Sequence, residues 1–229
     1  MAMTADGKID TVGRRGARIS GTADTARVDR LRAGADAVMV GGRTLLSEDP
    51  RLTVRDRELC AERLRQGRPE QPTKVGLVSC IGDPGEPGGL DPEGRFLNDG
   101  GGRVVICTSQ RTDRAAIDWL SRHGVEVLVR GETRVELPAA LAGLAELGIE
   151  QLMVEGGSTL VAALLEAGLV DELQLAVAPM LFGGETAPTP VGGDGWTREA
   201  AVQLDPAEVT TSADGDVILR YTVTAGAPR

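Results

Sequence analysis

Leu152-Met153-Val154-Glu155-Gly156-Gly157-Ser158-Thr159-Leu160 decides the fold class. A short apolar run ends in a carboxylate and two glycines just where an apolar pattern of helical spacing takes over, the mark of a strand feeding a helix N-terminus. Glycine lets main-chain N–H groups come close to a ligand. The exposed amides and the helix dipole together favour an anion, most often phosphate. Glu155 then stands at the mouth of that turn. Taken alone, the segment fits a ligand-free strand-to-helix turn equally well.

A second junction of the same kind lies in residues 31–53, LRAGADAVMVGGRTLLSEDPRLT. Asp36 to Val40 is a mostly apolar run that ends at Gly41-Gly42; Thr44 offers a hydroxyl, and Glu48-Asp49-Pro50 brings two acids to a helix-ending proline. In open α/β sheets ligands gather beyond the carboxyl ends of the strands, so both junctions are expected to line one crevice. Glu48 and Asp49 suit a solvated turn just as well.

Further strands are expected at 75–79, 104–108, 125–129 and 151–155 beside that at 36–40, with helices at 22–33, 114–122, 137–147 and 158–167. Ser20 or Thr22 is the expected cap of the first helix. Such alternation predicts an α/β fold of three αβα layers around a mostly parallel sheet. After Asp171 the pattern turns β-rich, at 172–178, 201–211 and 216–224, which predicts an antiparallel C-terminal extension ending in a hairpin. No stretch reads as a linker, so 1–229 is expected to form a single domain.

Composition excludes several classes of function. A net charge of −9 and 2% aromatic residues supply neither the basic face nor the stacking surface that nucleic acid needs. Cys60, Cys80 and Cys107 are far apart and His123 is the sole histidine, so neither a metal site nor a histidine-based triad can be assembled. His123 before Gly124 reads as a helix cap and the cysteines as small core residues. With no signal peptide or long apolar span, a cytoplasmic protein that meets no membrane is expected. Without a strong base or nucleophile, hydride transfer suits the inventory, because the cofactor carries the reactive electrons.

These junctions, with Met3-Thr4-Ala5-Asp6-Gly7-Lys8, Arg51-Leu52-Thr53-Val54-Arg55, Gly168-Leu169-Val170-Asp171-Glu172-Leu173, Ala178-Pro179 and Phe182-Gly183-Gly184, carry a resemblance. From Met1 to about Val223 the chain resembles the riboflavin-pathway pyrimidine reductases of dihydrofolate-reductase-like fold. The resemblance implies an NADPH-dependent oxidoreductase. Its acceptor would be C1′ of a 5-phosphoribosylamino-pyrimidine, reduced as the ring-opened imine to a ribityl chain. It places Ser20, Thr44, Glu48, Ser79, Gly156, Gly157, Ser158 and Thr159 on the cofactor, and Arg32, Leu52, Arg55 and Glu155 on the substrate. No catalytic acid is implied. Arg32 and Arg55 suit the 5′-phosphate. Arg43 stands where a small residue is usual, Glu48 where Asp is, Asp29 where His is and Val78 where Asp is. Segments 56–73 and 82–102 are longer than the compact pattern and read as surface cover.

Alternatives are a same-fold reductase acting on another substrate, such as a dihydropterin, and a non-catalytic dinucleotide-binding dimeric module. The resemblance also implies a homodimer, and the Leu173–Val177 run would otherwise leave an exposed strand surface. Finally, a hydrophobic strand precedes Thr-x-Asp-Gly-Lys in the family, and only Met1-Ala2-Met3 stands for it here. The expectation is a truncated central strand, and hence an upstream start or a trimmed N-terminus.

Overall fold

The structure, a computed structural model, describes residues 1–224. Its contacts divide the chain into two compact units, one of residues 28–157 and one of residues 1–27 and 158 onward. Neither boundary is a linker: one falls inside a helix and the other between Gly157 and Ser158.

The 28–157 unit is built on a five-stranded, wholly parallel sheet of order β5-β4-β3-β2-β6. Its strands are β2 (Ala37–Gly41), β3 (Thr73–Leu77), β4 (Val104–Thr108), β5 (Glu126–Val129) and β6 (Leu152–Gly156). Every residue of β2 and β4 is buried, the continuous apolar run that a strand covered on both faces requires. The helices are α1 (Thr22–Gly34, which begins before the boundary), α2 (Gly42–Glu48), α3 (Arg57–Arg65), α4 (Arg95–Asn98), α5 (Arg114–Arg122) and α6 (Leu137–Glu146). Val38, Val40, Leu45, Leu52, Phe96, Ile106 and Leu120 are among the core residues. His123 does cap α5, its Nδ1 lying 2.8 Å from the Trp119 carbonyl and its ring stacked on that indole.

The strand sequence runs outward from β2 to β5 and returns to β6 on the other side of β2, so the order reverses between β2 and β6. Their carboxyl ends therefore flank a topological switch point, where such sheets bind ligands. Gly41-Gly42 and Gly156-Gly157 stand at those two ends.

Segments 56–73 and 82–102 are not mere surface cover. Asp56 accepts the N–H groups of Glu58 and Leu59 and so starts α3, and Arg63 of that helix is buried. Phe96 of α4 is fully buried, and Asp49, the left-handed cap of α2, accepts the N–H groups of Arg95 and Phe96 at 2.7 and 2.8 Å. Lys74 of β3 is buried too. Its Nζ donates to the carbonyls of Phe96 (2.5 Å) and Asp99 (2.8 Å) and lies 5.7 Å from the Phe96 ring centre. Of the three cysteines, Cys80 is exposed rather than in the core.

The other unit carries a four-stranded sheet of order β1-β7-β9-β8, made of β1 (Ala2–Thr4), β7 (Glu172–Ala178), β8 (Gln203–Thr211) and β9 (Val217–Thr224). Helix α7 (Ser158–Glu166) belongs to it, with Leu160, Val161, Leu164 and Leu165 buried. The β8–β9 hairpin is antiparallel, as expected. β1 pairs in parallel with Ala176–Ala178 of β7 alone, so it is an edge strand rather than a central one. β1 covers only Ala176–Ala178 of β7, so in the 173–177 run residues 173–175 are laddered with β9 alone, and the largely exposed β8 is the sheet's other edge. Neither Ser20 nor Thr22 caps the free Ala23 N–H of α1; it donates to the Asp214 carboxylate at 2.6 Å, from the turn between β8 and β9.

Lys74→Met keeps the stem but leaves the buried Phe96 carbonyl and the partly buried Asp99 carbonyl without their donor. The expected loss is about 1–3 kcal/mol in urea unfolding. Burial holds the Lys74 ammonium below the ordinary lysine range, against the pull of Asp99 and Asp49. The unfolded state therefore binds the proton more tightly, wild-type stability rises as pH climbs towards that range, and the margin over the variant should widen. Equal stability at all pH values would show that the carbonyls find other partners.

Candidate active site

Glu155 owes its orientation to a break in the β2–β6 ladder. The register passes from Met39↔Val154 directly to Val40↔Gly156, so Glu155 has no partner on β2 and forms a bulge. A bulge bends its strand and re-aims a side chain. The Glu155 carboxylate meets the Arg32 guanidinium in a two-point pair, Nε to Oε1 at 2.5 Å and Nη2 to Oε2 at 2.7 Å. The third bond of Arg32 runs from Nη1 to the Thr53 carbonyl at 2.8 Å. Both side chains of the pair are mostly covered. Burial pulls the Arg32 pKa down, but the Glu155 hydrogen bonds and charge outweigh it and hold the guanidinium above its ordinary value.

One turn earlier on α1, buried Asp29 accepts the N–H groups of Arg55 (3.1 Å) and Asp56 (3.2 Å), and the Arg55 Nε at 3.4 Å. Spacing of i and i+3 puts Asp29 and Arg32 on one helix face. Together they hold the loop 51–55. Gln71 grips the same loop from the other side, accepting the Val54 N–H at 2.8 Å and donating to the Val54 carbonyl at 3.0 Å, while Arg51 pairs with Asp99 at 2.8 Å. Leu52 within it has φ +51°, a left-handed conformation that costs a non-glycine residue about 1–2 kcal/mol. So many anchors are what keeps it there. Leu52 as a whole is 1% exposed, so its part is to anchor the loop in the core rather than to present a surface to a ligand. Arg55 differs from Arg32: its side chain is 54% exposed, with Nε alone in its pair.

Of the residues placed on the cofactor by resemblance, Thr44, Glu48, Ser79, Gly156 and Gly157 belong to the 28–157 unit and Ser20, Ser158 and Thr159 to the other. Thr44 and Glu48 ride on α2, whose first residue lies against Val78, one position before Ser79. The Ser79 hydroxyl accepts the Val135 N–H at 3.1 Å, and its carbonyl accepts the Ser109 hydroxyl at 2.5 Å, which leaves the Ser79 proton for another acceptor. Gly156 and Gly157 have φ +155° and +86°. A Cβ at Gly156 would meet no atom within 4 Å, so the turn opens onto free space, as a cradle for an anionic group must. In the other unit the Ser20 hydroxyl donates to Asp24, which also pairs with Arg27.

The sequence pointed to the glycine turn, and the resemblance to Arg32, Leu52, Arg55 and Glu155 singly, but not to the pairing of Arg32 with Glu155, to the anchoring part of Asp29, or to Arg63 and Gln71. Asp56, a capping residue ahead of Leu59 and Cys60, was the available signal for α3. Among the described residues no group of three or more His, Cys, Asp and Glu could hold a metal ion, and no helix is long and apolar enough to cross a membrane.

The family described as the RibD C-terminal domain matches residues 1–218. A 2,5-diamino-6-ribosylamino-4(3H)-pyrimidinone 5′-phosphate reductase of Methanothermobacter thermautotrophicus is 40% identical over 224 residues, 97% of this chain and 95% of its own. The enzyme of the same name from Archaeoglobus fulgidus is 37% identical over 203 residues, 89% of each chain. The crystal structure of a pyrimidine reductase-like protein from Corynebacterium diphtheriae superposes with a TM-score of 0.81 at 21% identity, over 98% of this chain and 90% of that one. The chain therefore belongs to the RibD C-terminal domain family, the riboflavin-biosynthesis pyrimidine reductases of dihydrofolate-reductase-like fold.

Proposed function

We propose that this protein uses NADPH to reduce the ribosyl chain of a phosphorylated ribosylamino-pyrimidine to a ribityl chain. The observation that carries the reading is the Glu155–Arg32 pair held at the carboxyl end of β6, directly before the open Gly156-Gly157 turn. When bound, NADPH supplies a hydride. Gly156 and Gly157 amides suit its phosphates, and the hydroxyls of Thr44 and Ser79, with Glu48, suit its polar groups; Ser20, Ser158 and Thr159 are assigned to it by resemblance alone.

The two arginines take different parts in this reading. Arg32 already spends three of its five N–H groups, and its charge is matched by Glu155. Pair and carboxylate together present donors beside acceptors, an array for the amino and carbonyl edge of a pyrimidine or for ribose hydroxyls. Arg55, with most of its fork open, is the residue for the 5′-phosphate. In the reaction C1′ of the ring-opened imine accepts the hydride and the nitrogen, left with the electron pair, takes a proton. The chain's contribution is to bind, orient and exclude water. The 1–229 chain would act as one reductase domain, working as a homodimer in the cytoplasm.

Purified protein should oxidise NADPH only when the phosphorylated pyrimidine is present, and should prefer NADPH to NADH. Titration calorimetry without NADPH binding at millimolar concentration would overturn the reading.

Arg55→Ala should weaken binding of the phosphorylated pyrimidine by about 1.5–3 kcal/mol, seen in KM. It should leave turnover of a dephosphorylated analogue almost untouched. Glu155→Gln should instead lower kcat/KM for both pyrimidines while NADPH affinity holds. Equal loss of NADPH affinity would move Glu155 to the cofactor, and a wild type indifferent to the phosphate would remove Arg55 from its role.

Light scattering at micromolar concentration should give a dimer; a monomer would count against the assembly.

A further inference from the structure

The residues that hold a ligand can be no better placed than the helix that carries them. Arg32 sits two residues before the last residue of α1, where the final carbonyls of a helix have no partner of their own. Here they are covered by two other arginines. Arg63, 2% exposed on α3, donates from Nη1 to the carbonyls of Ala33 (2.7 Å) and Ala35 (2.8 Å), and from Nε to that of Pro69 (2.8 Å). Arg68 donates to the carbonyls of Ala33 (3.1 Å) and Gly34 (3.0 Å) and pairs with Asp36 at 2.9 Å.

Among the described residues Arg63 makes no ion pair; its three bonds go to main-chain oxygens on either side of α3. The same segment also reaches the site loop. Its first residue, Asp56, gives its N–H to Asp29 of α1, and Gln71 near its end brackets Val54. Segment 56–73 therefore touches α1 at two heights, at Asp29 and at the C-terminal carbonyls, with Arg32 between them.

We propose that Arg63 is a positioning residue for substrate binding: with Arg68 it locks the C-terminal end of α1, so that Arg32 meets Glu155 and the Thr53 carbonyl at one fixed geometry. The inference rests on the reading of Arg32 and Glu155 as substrate-side groups. It gives segment 56–73 a task, namely to hold helix and loop against each other. Lysine at position 63 could satisfy one or two of these carbonyls, but not three from a planar fork.

The test is a cycle of Arg63→Met, Arg63→Lys and Arg32→Lys in the full chain, assayed with NADPH and the phosphorylated pyrimidine. Arg63→Met should lower kcat/KM for the pyrimidine by about ten- to a hundred-fold, the scale of loss when a binding group is misplaced, while the KM for NADPH stays within about two-fold. Arg63→Lys should recover part of it. In the Arg32→Lys background the further loss from Arg63→Met should nearly vanish, because the two residues act through one contact. Losses that multiply, or a matching rise in the KM for NADPH, would show a merely structural role and overturn the proposal.

If Arg63→Met does not fold, Arg68→Gln, which is partly exposed and shares the Ala33 carbonyl, takes its place with the same outcomes. Two readouts keep this inference apart from the one it rests on. Should Arg32→Lys by itself leave the pyrimidine KM unchanged, the substrate-side reading of Arg32 falls. Independently of any assay, the Arg32 Nε–H resonance should be slow to exchange in wild type and broadened or lost in the position 63 or 68 variant. An unaltered resonance would overturn the positioning role.

Discussion

Everything around the candidate site depends on the pairing of one carboxylate with one guanidinium, Glu155 with Arg32. The bulge in β6 turns Glu155 out of the ladder into a mostly covered place, where an unpaired carboxylate would be costly. Removing one partner of such a pair costs about 3–5 kcal/mol, far more than the pair adds relative to two apolar groups. The structure therefore has to bring α1 and the end of β6 together reproducibly, and a connected set of polar contacts in the 28–157 unit serves that end. Asp36 at the start of β2 accepts the N–H groups of Glu150 and Gln151 and pairs with Arg68, which fixes β6 against β2 at the opposite end from the bulge. Burial works against the ionised Asp36, yet those N–H groups and Arg68 hold its pKa below the ordinary range. The contact is thus complete at neutral pH and is lost only in acid.

A strained residue is stable only where its surroundings over-determine it, and the loop 51–55 meets that condition. Leu52 is held with a positive φ because its neighbours are all tied down, Arg51 to Asp99, Thr53 and Arg55 to α1, and Val54 to Gln71. Its own side chain is buried in the core beneath. The consequence is a loop that sets the place of Arg55 without freedom to adapt. Ordering costs on binding are then small, because they have been met in folding.

The strands of the parallel sheet were legible to within two residues because each is a short, mostly apolar run bounded by glycine or charge, and a parallel sheet leaves no other pattern open to them. The glycine pairs after β2 and β6 were legible for the same reason, and with them the switch point. Features that depend on two distant stretches at once were not. The bulge at Glu155 follows from pairing with β2, more than a hundred residues away, and the Ala23 N–H finds its acceptor in Asp214. Helix α3 was hidden by chemistry: its inward face carries Arg63 beside Cys60, so the charge that defines a solvent face elsewhere is here the buried group. Lys74 misleads in the same way inside β3.

A net charge of −9 works against holding phosphate, yet the sign of the whole matters less than the disposition of a few donors. Beyond about 8 Å physiological salt screens the field, so a bound phosphate responds to the groups it touches. Most arginines near the loop are already committed, Arg32 to Glu155, Arg51 to Asp99, and Arg63 and Arg68 chiefly to main-chain carbonyls. Arg55 alone of these keeps most of its fork open while its backbone is pinned by Asp29. Acidity elsewhere then costs the site little, and the committed arginines contribute by holding still the one that is not.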